Sequence, residues 1–95
     1  MIQISVSNKR IEINGHANVA PHGQSVPCEA VTVLVNTYIA SLEHYQHIEY
    51  ELASGHFAID LKQIDYVGDI LTTSFKLGLE MVSEAYPEYI SYSKV

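Results

Sequence analysis

The residues best suited to chemistry are a histidine and a cysteine on either side of an irregular segment. His16 follows a short alternating stretch, and Cys28, the sole cysteine of the 95 residues, stands at the start of a helical pattern. Between them, residues 15–27 contain glycines and prolines and show no periodicity, which predicts a loop. Loops of this length in so small a domain are uncommon and usually functional.

A cysteine in the first turn of a helix meets unpaired N–H groups and partial positive charge, which favour the thiolate over the thiol. A nearby imidazole can take the thiol proton, and the same N–H groups can stabilise an oxyanion. Cys28 and His16 are therefore candidates for a nucleophile and its general base. Two other interpretations stay open: Cys28 is a small buried hydrophobe, and His16 is a strand-end side chain hydrogen-bonded to the loop.

The same segment also offers a set of three zinc ligands, His16, His22 and Cys28, with water in the fourth position. Their spacings match no compact ligand motif, and the loop holds no acid to act as a general base. We rank this interpretation below the cysteine nucleophile, and we predict a protein with no metal and no cofactor.

Alternating apolar residues predict two hairpins that would carry these side chains. Residues 2–6 and 11–14 have the period of half-buried strands with polar turn residues between them. Residues 48–52 and 57–61 repeat the pattern around a turn at Ser54 and Gly55.

Two helices are predicted from apolar residues at helical spacing. Ser25 as N-cap and Pro27 in the first turn begin the first helix, and Asp65 caps the second. The predicted core stripe of the first helix is Val31, Leu34, Val35, Tyr38, Ile39 and Leu42. That of the second is Val67, Ile70, Leu71, Phe75, Leu79 and Val82, with the small residues Ser74 and Gly78 beside it.

Pro87 ends the second helix, and residues 89–92 are compatible with a short final strand. The order β-β-α-β-β-α, with or without that strand, predicts an α+β fold in which two helices pack on an antiparallel or mixed sheet. No repeat or low-complexity tract interrupts the chain, so we expect a single domain over residues 1–95.

Composition excludes several classes of function. Apolar residues make up 47% and charged residues 17%, which is ample for a packed core. Eleven acids against five bases give a net charge of −6, which argues against nucleic-acid binding and against docking on an anionic membrane. The apolar stretch 30–42 is too short to span a bilayer, and residues 1–6 do not form a signal peptide, so we expect a cytoplasmic protein.

The remaining histidines, His44, His47 and His56, are interpreted as surface residues near helix ends or turns, without a functional role. Glu43, Glu49 and Glu51 are interpreted as a solvated face.

Two paired motifs make the chain similar to the ribosomal-processing cysteine protease family, called Prp, of Firmicutes and related bacteria. Members carry Gly-His-Ala at the end of the second strand, followed by a segment of the form Gly-x-Asp-Ile-Val-Cys-Ala-Ala-Val-Ser-x-Leu. Here the first motif is Gly15-His16-Ala17, and the second is Gly23-Gln24-Ser25-Val26-Pro27-Cys28-Glu29-Ala30-Val31-Thr32-Val33-Leu34. The ending Tyr86-Pro87-Glu88-Tyr89-Ile90 resembles the family's Tyr-Pro-x-Tyr-Val.

The resemblance implies a homodimeric endopeptidase that removes the short N-terminal extension of large-subunit ribosomal protein twenty-seven, cutting after an apolar, aromatic-containing stretch. Small domain size is a second reason to expect a homodimer. Carried over by residue, Cys28 is the nucleophile and His16 the general base. The implied supporting or substrate-loop positions are Gly15, His22, Gly23, Ser25 and Thr32.

Among the departures from the family pattern, four change the chemistry or the backbone of the cysteine motif. Ser25 replaces an acid, Pro27 a valine, Glu29 a small residue and Thr32 a serine, the last keeping its hydroxyl. Two further hypotheses therefore stay open: a phage-type paralogue that processes capsid or scaffold protein, and a non-catalytic binding module of the same fold.

Overall fold

A computed structural model describes residues 1–16 and 26–95 of the chain. The elements in chain order are β1 (Ile2–Val6), β2 (Arg10–Asn14), α1 (Val26–Tyr45), β3 (Tyr50–Ala53), β4 (His56–Asp60), a 3₁₀ turn (Leu61–Gln63), α2 (Tyr66–Ala85) and β5 (Ile90–Lys94). The predicted α+β fold and its element order are confirmed, and the final strand is present. The predicted N-cap Ser25 lies outside the described residues.

The five strands form one mixed sheet in the order β3-β4-β2-β1-β5. The β1–β2 and β3–β4 pairs are the two predicted hairpins, and β2 pairs with β4 in antiparallel register. Only β5 runs parallel to its neighbour, β1, because α2 carries the chain back across the sheet before β5 begins. This topology brings the end of β2 next to the turn between β3 and β4.

Both helices cover the same face of the sheet. Alternation along the strands places the side chains of Ile2, Ile4, Val6, Ile11, Ile13, Phe57 and Ile59 in the core. Burying each such side chain contributes roughly 1.5–3 kcal/mol. The ring of Tyr38 in α1 stacks on Phe75 in α2 with centroids 4.1 Å apart, and both rings meet Phe57 edge to face. These three rings tie the helices to the sheet.

The predicted core face of α1 is confirmed, with Leu34 half-buried and its other members buried. Leu34 lies over Gly78 of α2, where an added Cβ would come within 2.8 Å of the Leu34 Cδ2. The small residue at position 78 therefore permits the close helix approach that the sequence predicted, whereas Ser74 is exposed.

The predicted core stripe of α2 is wrong at two positions. Val67 and Ile70 are 41% and 55% exposed. Phe75 and Leu79 are buried as predicted, and Thr72 and Gly68 are buried on the same face without having been predicted. α2 is rotated about its axis relative to the predicted orientation, because Gly68 has no side chain and so permits close contact with the side chains of Leu42 and Ile64.

Thr72 is buried in that stripe because its polar group is satisfied. Its hydroxyl donates to the carbonyl oxygen of Gly68 at 2.8 Å and accepts from the Tyr38 hydroxyl at 2.7 Å. The N-cap of α2 is as predicted, with the Asp65 carboxylate accepting from the Gly68 N–H at 2.9 Å. Neither α1 nor α2, the long helices of the described residues, has the apolar length needed to cross a membrane.

Candidate active site

The strand and helix ends bring the two candidate reactive side chains to one cleft. His16 stands two residues beyond the end of β2, and Cys28 is the third residue of α1. Both are half-buried, and both line a cleft of about 610 Å³ between α1 and the β3–β4 hairpin. The predicted site residues Gly15 and Thr32 line it too, whereas His22, Gly23 and Ser25 lie outside the described residues.

Gly15 sets the direction in which the chain leaves β2. Its φ is +101°, a left-handed conformation that favours glycine, and an added Cβ would collide with the carbonyl oxygen of Met1. Its N–H donates to the carbonyl oxygen of Gly55 at 2.8 Å, which joins the end of β2 to the turn between β3 and β4. The backbone of Gly15, joined to that of Gly55, therefore fixes where His16 enters the cleft.

The imidazole of His16 packs against Gly55. A Cβ added at Gly55 would lie 2.6 Å from the His16 Nε2, 3.1 Å from Cδ2 and 3.2 Å from Cε1. The φ of Gly55 is +71°, so this position also favours glycine for its own conformation.

Cys28 is presented by the first turn of α1, next to the buried ring of Pro27. Proline is tolerated there because the first N–H groups of a helix have no intrahelical acceptor. The Thr32 hydroxyl donates to the carbonyl oxygen of Cys28 at 2.8 Å and so braces the turn that carries the thiol. The positive end of the α1 dipole lies at this turn and stabilises a negative charge beside it.

The lining of the cleft is mainly apolar. Its floor includes the buried residues Ile13, Val31 and Phe57, and its rim includes Val33 and Leu52, which are 63% and 51% exposed. Glu29, exposed in the first turn of α1, places a carboxylate beside this apolar surface. The shape and chemistry of the cleft suit a peptide segment with apolar side chains.

His56, interpreted from the sequence as a surface residue near a turn, is half-buried at the start of β4. Its Nδ1 lies 2.6 Å from the Asn14 Oδ1, and its Nε2 lies 2.9 Å from the Glu51 Oε1. The Asn14 amide nitrogen donates to Glu12, which turns the Asn14 oxygen toward His56. The imidazole of His56 is therefore held by polar contacts at both of its ring nitrogens.

Glu51 is exposed as expected, yet it is the centre of an ion-pair network. Its second carboxylate oxygen lies 3.4 Å from the Arg10 guanidinium, which also contacts Glu12 at 3.2 Å. The hydrogen bond with His56 is the main cause, and Arg10 the second, of a pKa for Glu51 below its ordinary value. The sequence signal for this network is the alternation of Arg10, Glu12 and Asn14 along β2, and strand pairing brings Glu51 and His56 to the same face.

A zinc site would need a third ligand besides His16 and Cys28. Within residues 1–16 and 26–95, no three His, Cys, Asp or Glu side chains lie close enough together to hold a metal ion. His22, the third residue of the predicted zinc set, lies outside that part of the chain.

Comparison with known proteins identifies the chain as a cysteine protease. It belongs to the cysteine protease Prp family, whose profile matches residues 1–91. The resemblance seen in the paired Gly-His-Ala and cysteine motifs is thereby confirmed. No curated protein sequence matches the chain.

Solved structures share the fold over the whole chain. The essential ribosomal processing protease Prp from Staphylococcus aureus, with a covalently linked product peptide, matches with a TM-score of 0.90 at 15% identity, covering 100% of both chains. The same protease with a substrate peptide matches with a TM-score of 0.81 at 16% identity, again covering 100% of both chains. The SMU.848 protein of Streptococcus mutans matches with a TM-score of 0.81 at 25% identity, covering 100% of this chain and 94% of that one.

Proposed function

We propose that this protein is an endopeptidase in which Cys28 is the nucleophile and His16 the general base. We propose further that its substrate is the N-terminal extension of large-subunit ribosomal protein twenty-seven. The observation that carries the proposal is that His16 and Cys28 reach the same cleft from separate elements, in a chain of the cysteine protease Prp family. The description of the Staphylococcus aureus relative as a ribosomal processing protease supports the choice of substrate.

In this mechanism His16 accepts the proton of the Cys28 thiol, and the thiolate attacks the scissile carbonyl carbon. The carbonyl oxygen becomes an oxyanion beside the N-terminus of α1. Pro27 has no N–H and cannot donate to that oxyanion, whereas the positive end of the α1 dipole stabilises it. His16 then protonates the leaving amine, and water hydrolyses the thioester to free the enzyme.

The apolar cleft supports a substrate whose side chains near the cut are apolar. Exposed rim residues such as Val33 and Leu52 gain stabilisation when a peptide covers them. Glu29 disfavours an acidic substrate residue close to the thiol, since two carboxylates would then meet in a partly dry cleft. Ser25, Pro27 and Glu29, where the family has other residues, are the reason to keep a phage structural protein as a second candidate substrate.

We propose that the enzyme works as a cytoplasmic homodimer. Its small size supports this, and so do the exposed apolar side chains of Val26, Leu77 and Met81 on the outer surfaces of α1 and α2. Sedimentation velocity at micromolar concentration tests it, and a monomer throughout that range would contradict the dimer.

The test of the activity is cleavage followed by mass spectrometry. The N-terminal region of the ribosomal protein from the same genome is incubated with the wild type, Cys28→Ala, His16→Ala and, as a matched control, His44→Ala, which removes an exposed histidine at the other end of α1. We expect a single cut by the wild type and the control, and none by the other two.

Each other outcome has a definite meaning. Cleavage by the Cys28→Ala protein would refute the nucleophile. A Cys28-dependent cut in a phage capsid or scaffold peptide, with none in the ribosomal peptide, would keep the mechanism and change the substrate. Binding of the peptide without turnover would make the protein a non-catalytic module.

A further inference from the structure

We propose that Gly55 is a positioning residue for His16, an inference that rests on the proposed role of His16 as general base. Gly55 belongs to the turn between β3 and β4, 39 positions along the chain from His16, and takes no part in the motifs that carry the family resemblance. Its bare Cα provides the surface on which the imidazole of His16 rests.

The contact is too close for any side chain. With a Cβ at position 55 only 2.6 Å from the His16 Nε2, the imidazole occupies space that an alanine methyl would need. The neighbour that would have to move is the rigid imidazole ring of His16. Only two rotatable bonds separate this ring from the His16 backbone. A methyl group at position 55 therefore displaces the imidazole itself.

The turn cannot relax away, because two links hold it to the strand end that carries His16. The Gly15 N–H donates to the carbonyl oxygen of Gly55 at 2.8 Å. One residue further along each strand, Asn14 and His56 are directly paired in the sheet, and their side chains meet at 2.6 Å. Gly55 is thus fixed relative to the backbone of His16, and the imidazole is confined between that backbone and the turn.

The consequence for catalysis follows from the need to align the imidazole with the Cys28 thiol across the cleft. A displacement of about 1 Å at a reacting group can cost about 100-fold in rate. Substrate binding depends on the apolar side chains that line the cleft, and Gly55, although it lies in that lining, contributes no side chain. A substitution at position 55 is therefore expected to lower kcat by about 100-fold while leaving KM little changed.

The test separates displacement of His16 from strain in the turn. Gly55→Ala adds a methyl and also strains a backbone with φ of +71°, whereas Gly55→Asn adds the same Cβ in a residue that tolerates left-handed φ better. The control is Gly78→Ala, another glycine-to-alanine change, whose Cβ meets the flexible Leu34 side chain far from His16. For each protein one measures kcat and KM, thermal unfolding, and the NMR signal of the His16 imidazole C–H groups, assigned with His16→Gln.

We expect both Gly55 variants to lose kcat, the Asn variant to melt closer to the wild type than the Ala variant, and the His16 signals to shift in both. The control keeps its kcat and its His16 signals whatever its melting temperature. A folded Gly55→Asn protein with wild-type kcat, or with unmoved His16 signals, overturns the inference. Failure of the proposed function is distinguishable, because in that case the His16→Gln protein itself remains active.

Discussion

The imidazole Nδ1 of His56 lies 2.6 Å from the side-chain oxygen of Asn14, across the antiparallel pair of β2 and β4. Asn14 is the last residue of β2 before Gly15 and His16, and His56 is the first residue of β4 after Gly55. The hydrogen bond therefore joins the end of β2 to the start of β4, the two chain segments next to the proposed general base His16. It is a polar contact on the solvent side of a sheet whose other face carries the core.

Removing the His56 side chain is expected to loosen this junction. His56→Ala loses the half-buried bond to Asn14, and a hydrogen bond of this kind contributes about 1 kcal/mol to the free energy of unfolding. Urea unfolding of the variant measures the loss, with His44→Ala as an exposed histidine control. An unfolding free energy equal to that of the wild type would show that the junction is held by the backbone bond between Gly15 and Gly55 alone.

The carboxylate of Glu51 predicts a dependence of stability on acid. Its pKa is lower in the folded protein than its ordinary value of 4.5, first because of the His56 hydrogen bond and then because of Arg10. The unfolded chain therefore binds a proton to Glu51 more readily than the folded one does. The stabilisation is fully present above the ordinary pKa and is lost as the pH falls through the lower, folded-state pKa.

Urea unfolding of the wild type and Glu51→Gln from neutral pH downward tests this. The difference between the two proteins should be constant above the ordinary glutamate pKa and should shrink below it. Added salt should also reduce it, since the carboxylate is exposed. A difference that grows on acidification would contradict the assignment.

The buried hydroxyl pair of Tyr38 and Thr72 predicts an asymmetry between two substitutions. Since the Thr72 hydroxyl donates to Gly68, the Tyr38 hydroxyl must donate to Thr72. Thr72→Val leaves a buried Tyr38 donor unpaired and should cost about 1–3 kcal/mol, whereas Tyr38→Phe leaves Thr72 with its own donor satisfied and should cost less.

Combining the two changes measures how strongly the hydroxyls are coupled. The double variant should be more stable than the sum of the single losses predicts, because neither partner is then left unpaired. Strict additivity in denaturant unfolding would show that the two groups do not interact.

Burial, the main cause of the raised pKa of Tyr38, also predicts that this phenol stays protonated in alkali strong enough to ionise exposed tyrosines.

Reactivity of the Cys28 thiol with iodoacetamide tests the proposed nucleophile without a substrate. We expect alkylation several-fold faster than that of a free cysteine at neutral pH, slowed by His16→Ala, because the helix N-terminus and the imidazole both favour the thiolate. Glu29→Gln should speed the reaction further, since the Glu29 carboxylate opposes a second negative charge in the same helical turn. Alkylation no faster than for a free thiol would favour the non-catalytic module.

The sequence alone was sufficient for the element order, both hairpins, the Asp65 cap and the choice of His16 and Cys28 as the residues to examine. These features depend on alternation, helical spacing and turn or cap residues, all of which act over a few neighbouring positions. The same local patterns misassigned Val67 and Ile70 to the core, because nothing near them in the chain reveals that Gly68 and Thr72 face Tyr38 and Leu42.

Only the tertiary structure decided which distant residues meet. The parallel pairing of β5 with β1, the contact of His16 with Gly55 and the bonds of His56 to Asn14 and Glu51 all join segments far apart in the chain. Such contacts depend on strand order and register, which follow from the simultaneous packing of both helices on one sheet face. Local residue patterns therefore nominated His16 and Cys28 as the candidate reactive side chains, and long-range pairing determined what surrounds them.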